Sequence, residues 1–247
     1  MKSNKTKDKN IITNQTNKNE SGKIKKFFRG FIPKHVSNKV VVDVYDVLRV
    51  FQHASRKDFS KNYEYNRNGF AQHKSDIKQK LGFIEDQNCY TDMKYGKHSI
   101  RFCGCEIIAT YNALYSIHGY NPIAFTDMIR EYESDGMVLS GSFGTSPKAI
   151  RYFLERHGYR TEFTTKLSKF DEVASRSDSL ILTIYNDGSN IMKAVHTVNV
   201  SKANGKYIAH NVYGNGVVAG PFDSMIALMQ GINNGRSKEI SLIGVSV

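Results

Sequence analysis

The dipeptide Asn204-Gly205 constrains the fold of this chain more than any other pair of residues. It stands between two alternating segments, Ala194–Ser201 and Lys206–Tyr213. Asn-Gly accommodates the two positive-φ positions of a type I′ turn, so the sequence predicts a two-residue loop joining antiparallel strands. In that register His196 stands opposite Tyr213 and Val198 opposite Asn211. Opposed side chains share a face, as do side chains two apart on one strand. His196, Val198, Val200, Tyr207, Ala209 and Asn211 therefore share an inward face, with Thr197, Lys206 and His210 on the other. His196 and Asn211 are diagonal neighbours, close enough for the Asn amide oxygen to orient an imidazole. A loop one residue longer would select His210 instead, because a single slip flips every side chain.

Helical periodicity dominates the first half. Val41, Val44, Leu48 and Phe51 predict a helix over Val40–Ala54, and residues 55–80 read as a polar connection. Ile107, Tyr111, Leu114 and His118 predict a helix opening after Gly104, with Gly119 as its stop. Asn121-Pro122 predicts a new helix running toward Glu133. Ser146-Pro147 repeats the device, with Ala149, Ile150, Phe153 and Leu154 inward and Gly158 closing. Leu180–Tyr185 is apolar enough for a central strand, Phe222–Gln230 predicts a short helix begun by Asp223 or Ser224, and Glu239–Val247 a closing strand. Helices followed by an antiparallel sheet define an α+β domain of two packed layers.

A chain of 247 residues buries one sizeable core. Its net charge of +12 is unevenly spread. Residues 1–40 hold 11 of the 35 Lys and Arg but 2 of the 23 Asp and Glu. Residues 1–35 are expected to form a disordered basic tail, with weak contact to anionic surfaces, and residues 36–247 one domain. No zinc-finger spacing or aromatic-interleaved basic strand supports specific nucleic-acid readout. No apolar run is long enough to span a bilayer, and no apolar segment follows the basic start as in a secretory signal. With only 3 Cys, these features lead to an expectation of a reducing, cytoplasmic compartment.

Gly104-Cys105 carries the chemistry. A cysteine in the first turn of a helix has its sulfur among unpaired backbone N–H groups, which favours the thiolate. With His196 and Asn211 downstream, Cys105 becomes a candidate nucleophile, His196 its base and acid, and Asn211 the orienting amide. The Cys105 N–H is a candidate oxyanion donor, and Gln87, with Asn88 behind it, is the candidate for a second. Cys105 is expected to alkylate faster than Cys89 or Cys103.

The order Cys105, His196, Asn211, on a helix followed by an antiparallel sheet, resembles papain-like cysteine peptidases. More narrowly, Gln87, Tyr90, Tyr95-Gly96, Ser99-Ile100, Gly104-Cys105 and Ala109 resemble the C39-like peptidases of bacteria. His196–Val200, Gly205-Lys206-Tyr207, Asn211, Gly144–Pro147 and Gly158-Tyr159 fit the same pattern. The resemblance covers about residues 85–215. It implies a papain-like fold and a stand-alone peptidase acting on a peptide or protein substrate through a thioester, without a cofactor. The chain departs from the family in Glu106-Ile107-Ile108, where Gly-Pro-Thr is common, and in Asn211, where Asp is commoner.

Three other functions share these residues. The same triad could perform acyl transfer or transamidation if an amine rather than water reached the thioester. A papain-like domain without catalysis could bind peptides. Cys89, His98, Cys103 and Cys105 are all zinc-ligand types, though without paired-knuckle spacing. Cys103, two residues from Cys105, could also form a disulfide with Cys105 or Cys89 under oxidation.

Overall fold

The computed structural model describes residues 36–54, 59–187, 195–213 and 216–247. The predicted tail therefore lies outside the described residues, as does Ala194 at the start of the first alternating segment. The first half contains helices α1 (Asn38–Ala54) and α2 (Ser60–Gln79), a small hairpin of β1 (Lys94–Tyr95) and β2 (His98–Ser99), then α3 (Ile100–Cys103), α4 (Cys105–His118), α5 (Phe125–Asp135) and α6 (Pro147–Arg156). The second half contains β3 (Arg160–Thr164), α7 (Phe170–Ser175), β4 (Ser179–Tyr185), β5 (Val195–Ala203), β6 (Lys206–His210), β7 (Ala219–Phe222), α8 (Met225–Gly231) and β8 (Lys238–Ser246).

Strands β3 to β8 form one antiparallel sheet in the order β3-β8-β4-β5-β6-β7. The last strand in sequence is inserted between β3 and β4, so the protein is a mixed α+β fold closed by its C-terminal segment. Every residue of β4 is buried, as expected of a strand covered on both faces. One face, with Ile181, Ile243 and Val245, packs under Ile107, Ile108 and Leu114 of α4 and the aromatic cluster of α5 and α6. The other, with Leu180, Leu182, Leu242, Val198, Val200 and Ala209, packs under α7 and α8. The two-layer expectation is thus corrected to a helical layer on each side. Both faces of the central strands are apolar, and one layer of helices could not cover both.

The β5–β6 hairpin has the predicted loop and register. Asn204 and Gly205 both have positive φ, 52° and 74°. Val200 pairs with Ala209 and Asn199 with His210. Strand β6 ends earlier than predicted, at His210, because Asn211 turns to a left-handed φ of 58° and leaves the ladder.

Two helical expectations need correction. The segment read as a polar connection contains α2, a 20-residue helix. Polar side chains dock it. The Asn66 amide donates to Lys94 O at 2.8 Å and accepts from Lys94 N at 2.7 Å. Tyr63 donates to Asp127 at 2.9 Å, and Asn62 to Glu133 at 2.7 Å. Helix α5 begins at Phe125 rather than after Asn121-Pro122. Its first turn closes on Ala124, whose carbonyl accepts from Asp127 N at 2.9 Å and Met128 N at 3.0 Å.

Helix α1 lies at one end of the sheet. Val41 and Val42 pack with Tyr185 and Ile240, continuous with Val195. On its other flank, Arg49 pairs with Asp46 and Asp135, and Lys148 of α6 pairs with Asp43 at 2.8 Å. None of the described helices is long and apolar enough to cross a membrane.

Candidate active site

Cys105 is the first residue of α4, as the sequence predicts. Helix α3 runs into it through Gly104, whose N–H donates to Ile100 O at 2.8 Å. A Cβ on Gly104 would lie 2.7 Å from Ile100 Cγ2 and 2.8 Å from Ile100 O, so the junction has no room for a side chain. The α3–α4 junction holds the Cys105 thiol, which is 7% exposed as a residue, beside the Thr197 backbone of β5.

The expectation of a thiolate at this helix end does not survive the local electrostatics. Burial pushes the Cys105 thiol well above its ordinary range, and the neighbouring Glu106 carboxylate pushes it further. Glu106 is the acidic group in the first turn of α4. Its carboxylate collects the N–H groups of Glu106 itself and Thr145. It sits over Gly144, where a Cβ would lie 2.8 Å from Oε1. A carboxylate thus takes the positive helix end that the sulfur was expected to use. Burial raises the Glu106 pKa to about 7, and Oε2 has no hydrogen-bond partner among the described residues. Val41, Val42 and Tyr45 of α1 close a small cleft over Glu106, with Thr145, Pro147, Thr183, Val195 and Ile240 completing its wall.

His196 is half-buried near the start of β5 and meets Asn211, but not through the predicted group. Its Nε2 lies 2.6 Å from the backbone carbonyl of Asn211. A carbonyl can only accept, so Nε2 carries the hydrogen and Nδ1 keeps its lone pair. Burial lowers the His196 pKa, and the Asn211 carbonyl partly offsets that shift. In this arrangement thiol and imidazole are both favoured as neutral groups, not as an ion pair.

The side chain of Asn211 is spent elsewhere. Its Oδ1 accepts from Gln87 N at 3.0 Å and its Nδ2 donates to Gln87 Oε1 at 3.4 Å. The left-handed backbone explains the change, because it takes the Asn211 amide out of the pleat that would have put it beside the ring. Gln87 is correspondingly not aimed as an oxyanion donor. Its Nε2 gives its hydrogens to Ile100 O at 3.1 Å and Arg101 O at 2.9 Å, so it braces α3. Asn88 is exposed, with its backbone N–H on Asp86 at 2.9 Å.

Strand alternation divides the remaining predicted groups. His196 pairs with Ile184 and shares its side of the sheet with Val198 and Val200, toward α7 and α8. Thr197 and Asn199 are on the α4 side. The inward face expected for His196 is therefore a core face, but not the one on which α4 packs. No hydrogen bond joins the thiol to the imidazole among the described residues. The structure brings together Cys105 with Thr197, His196 with Asn211, and Asn211 with Gln87.

The four zinc-ligand types do not gather. Cys89 is exposed with its thiol 3.5 Å from Asp86, Cys103 lies under Tyr95 O and Ser99 O, and His98 Nε2 lies 3.0 Å from Ser142 Oγ. Among the described residues no group of three or more His, Cys, Asp and Glu is placed to hold a metal ion.

Two groups at this site escaped sequence reasoning. Glu106 follows Cys105 directly, and an acidic residue in a first helical turn is an anion competing for the helix end. Glu85 is nearly buried and bonds both His210 and Asn211 N, and no pattern marked it. Comparison of the chain with family models, with curated proteins and with solved structures found no match in any of the three.

Proposed function

We propose that the chain is a cysteine peptidase of papain-like architecture, with Cys105 as nucleophile and His196 as its base and acid. One observation carries the proposal. The thiol at the start of α4 lies against β5 at Thr197, next in the chain to His196, whose ring stands on the opposite side of the strand with its Nε2–H on the Asn211 carbonyl and a lone pair on Nδ1. Nδ1 takes the thiol proton as the sulfur attacks a peptide carbonyl. The Cys105 N–H faces the developing oxyanion. Collapse breaks the C–N bond, and the imidazolium gives its proton to the leaving amine. Water then attacks the thioester with Nδ1 as base, releasing the acid and restoring the thiol. An amine in place of that water would make the same site an acyltransferase. Because the His196 ring faces the α7 and α8 side, substrate binding must also bring it round the start of β5 onto the thiol.

The neutral, buried thiol beside Glu106 favours a second function, a non-catalytic domain that binds peptides. Digestion of a peptide library separates the two. The full chain, Cys105→Ala and His196→Ala are incubated with the library and the products sequenced by mass spectrometry. New termini produced by the wild type and by neither variant support the peptidase. Termini that persist in Cys105→Ala, or none from the wild type, overturn it. Retained peptide affinity without cleavage establishes the binding domain.

A further inference from the structure

A hydrogen-bonded chain that the proposed mechanism does not use ends on Asn211. Ser201 Oγ lies 2.7 Å from His210 Nε2, and His210 Nδ1 lies 2.6 Å from Glu85 Oε1. The other carboxylate oxygen, Glu85 Oε2, accepts from Asn211 N at 2.9 Å. Phe83 stacks on the His210 ring, with centroids 3.9 Å apart and planes 4° from parallel. Ser201, Glu85 and His210 are all nearly buried.

The segment carrying Glu85 is itself fixed to α4. Ile84 N donates to Asn112 Oδ1 at 2.8 Å, and Asn112 Nδ2 donates to Ile84 O at 2.9 Å. Two residues past Glu85, Gln87 holds α3 and the Asn211 amide. Residues 84–87 thus connect the helix that begins at Cys105 with the turn whose carbonyl holds His196.

We infer that Glu85, braced by His210, is a positioning residue for His196. Its carboxylate holds the Asn211 N–H and so keeps that residue in its left-handed turn, with the carbonyl on His196 Nε2. An ionised carboxylate accepts on both oxygens, which is what His210 Nδ1–H and Asn211 N–H each require. Leucine keeps much of the volume and accepts from neither group, whereas glutamine could keep both bonds by a change of the His210 tautomer. The role in catalysis rests on the cysteine-peptidase function proposed above. The geometric role can be measured without it.

The experiment records imidazole ¹⁵N–¹H spectra of the full chain, with the His196 signal assigned by its loss in His196→Gln. In the wild type the His196 Nε2–H is expected as a slowly exchanging cross-peak. Glu85→Leu is expected to speed that exchange at least tenfold or abolish the peak. Asn211→Gly keeps the backbone groups and deletes the side-chain bonds to Gln87, and is expected to keep the peak. Far-UV circular dichroism establishes that each variant is folded. If Glu85→Leu does not fold, His210→Gln replaces it with the same expectation. An unchanged His196 peak in the Glu85 or His210 variant overturns the positioning role, as does its loss in Asn211→Gly alone. Peptide cleavage by the same samples separates the two claims. Loss of the peak with no wild-type cleavage keeps the positioning role and removes the peptidase. Loss of the peak together with a tenfold fall in cleavage supports both.

Discussion

The imidazole of His196 donates from Nε2 to the backbone carbonyl of Asn211 at 2.6 Å. A main-chain carbonyl orients the ring as firmly as a side-chain amide and cannot rotate away by a rotamer change. It also leaves the Asn211 amide free to bond Gln87, so one residue bridges the histidine strand and the segment before α3. Because the carbonyl carries no full charge, it does little to stabilise an imidazolium against burial.

His196 is therefore expected to titrate below the ordinary histidine pKa of 6.5. The sign follows from burial favouring the neutral ring. As pH falls, the unfolded chain protonates this histidine first, so its contribution to stability is lost below about pH 6.5. An NMR titration of His196 measures the midpoint directly. A midpoint at or above 6.5 contradicts the burial argument.

The three cysteines are expected to alkylate in an order opposite to the one the sequence suggested. Cys89 is exposed and should react first in the native chain. Cys103 and Cys105 are buried, and burial is the main cause raising both thiols. Glu106 is the second cause raising both buried thiols and also hydrogen-bonds Cys105, so Glu106→Gln should speed labelling of Cys105 several-fold at neutral pH and of Cys103 to a smaller extent. Iodoacetamide labelling followed by peptide mass spectrometry reads all three rates at once. Equal rates at Cys105 in wild type and Glu106→Gln would show that the carboxylate does not act on the sulfur.

Glu106 should also make stability fall with rising pH. Its folded pKa is raised from 4.5 to about 7. Below about pH 4.5 it is protonated in both states and contributes no penalty. Between there and about pH 7 the unfolded chain releases its proton first, so stability declines, and the loss levels off above. Two to three pKa units correspond to on the order of 3 kcal/mol. Glu133, also raised to about 7 by burial, acts in the same direction, so the test is a difference between variants. Urea midpoints of wild type and Glu106→Gln should converge toward pH 4.5 and separate by pH 8, the variant being the more stable. Parallel pH profiles would remove Glu106 from the account.

Local chemistry was legible in the sequence, and placement decided by distant contacts was not. Asn204 and Gly205 adopt the positive φ that their residue types tolerate, so hairpin and register could be read directly. Gly119, with φ of 71°, ends α4 for the same reason. The register also selected Asn211 over His210 as the residue that meets His196. It could not reveal that Asn211 would leave the pleat, because the bonds holding it come from Glu85 and Gln87, far away in the chain. Helix α2 escaped because amide and hydroxyl groups dock much of it, and polar contacts leave no hydrophobic period. The position of β8 escaped because nothing local tells a C-terminal strand to insert between β3 and β4. The helix N-terminus at Cys105 was read correctly, and its charge was not, because Glu106 answers it first.

Helix α1 closes the cleft over Glu106 with Val41 and Val42. Arg49 holds the helix on its other flank. It pairs with Asp46 at 2.9 Å and with Asp135, and lies 5.4 Å from the Tyr152 ring centre. The Arg49 side chain is only 12% exposed, and its removal takes the nearer cation from two partly shielded carboxylates, leaving Arg156 on Asp135 at 3.2 Å and Lys148 beside Asp46 at 3.9 Å. With those cations still in place the loss is close to that of a surface pair, about 1 kcal/mol. That cost falls on the docking of α1, because Asp135 belongs to α5 and Asp46 to α1 itself. Arg49→Ala is therefore expected to loosen α1 before it unfolds the sheet. Limited proteolysis should cut within residues 38–54 several-fold faster than in wild type, and Cys105 should alkylate faster while Cys103 stays protected. Arg49→Lys keeps a cation but loses the planar fork, and should fall between the two. Faster cutting without a change at Cys105 would show that α1 covers the carboxylate but not the thiol.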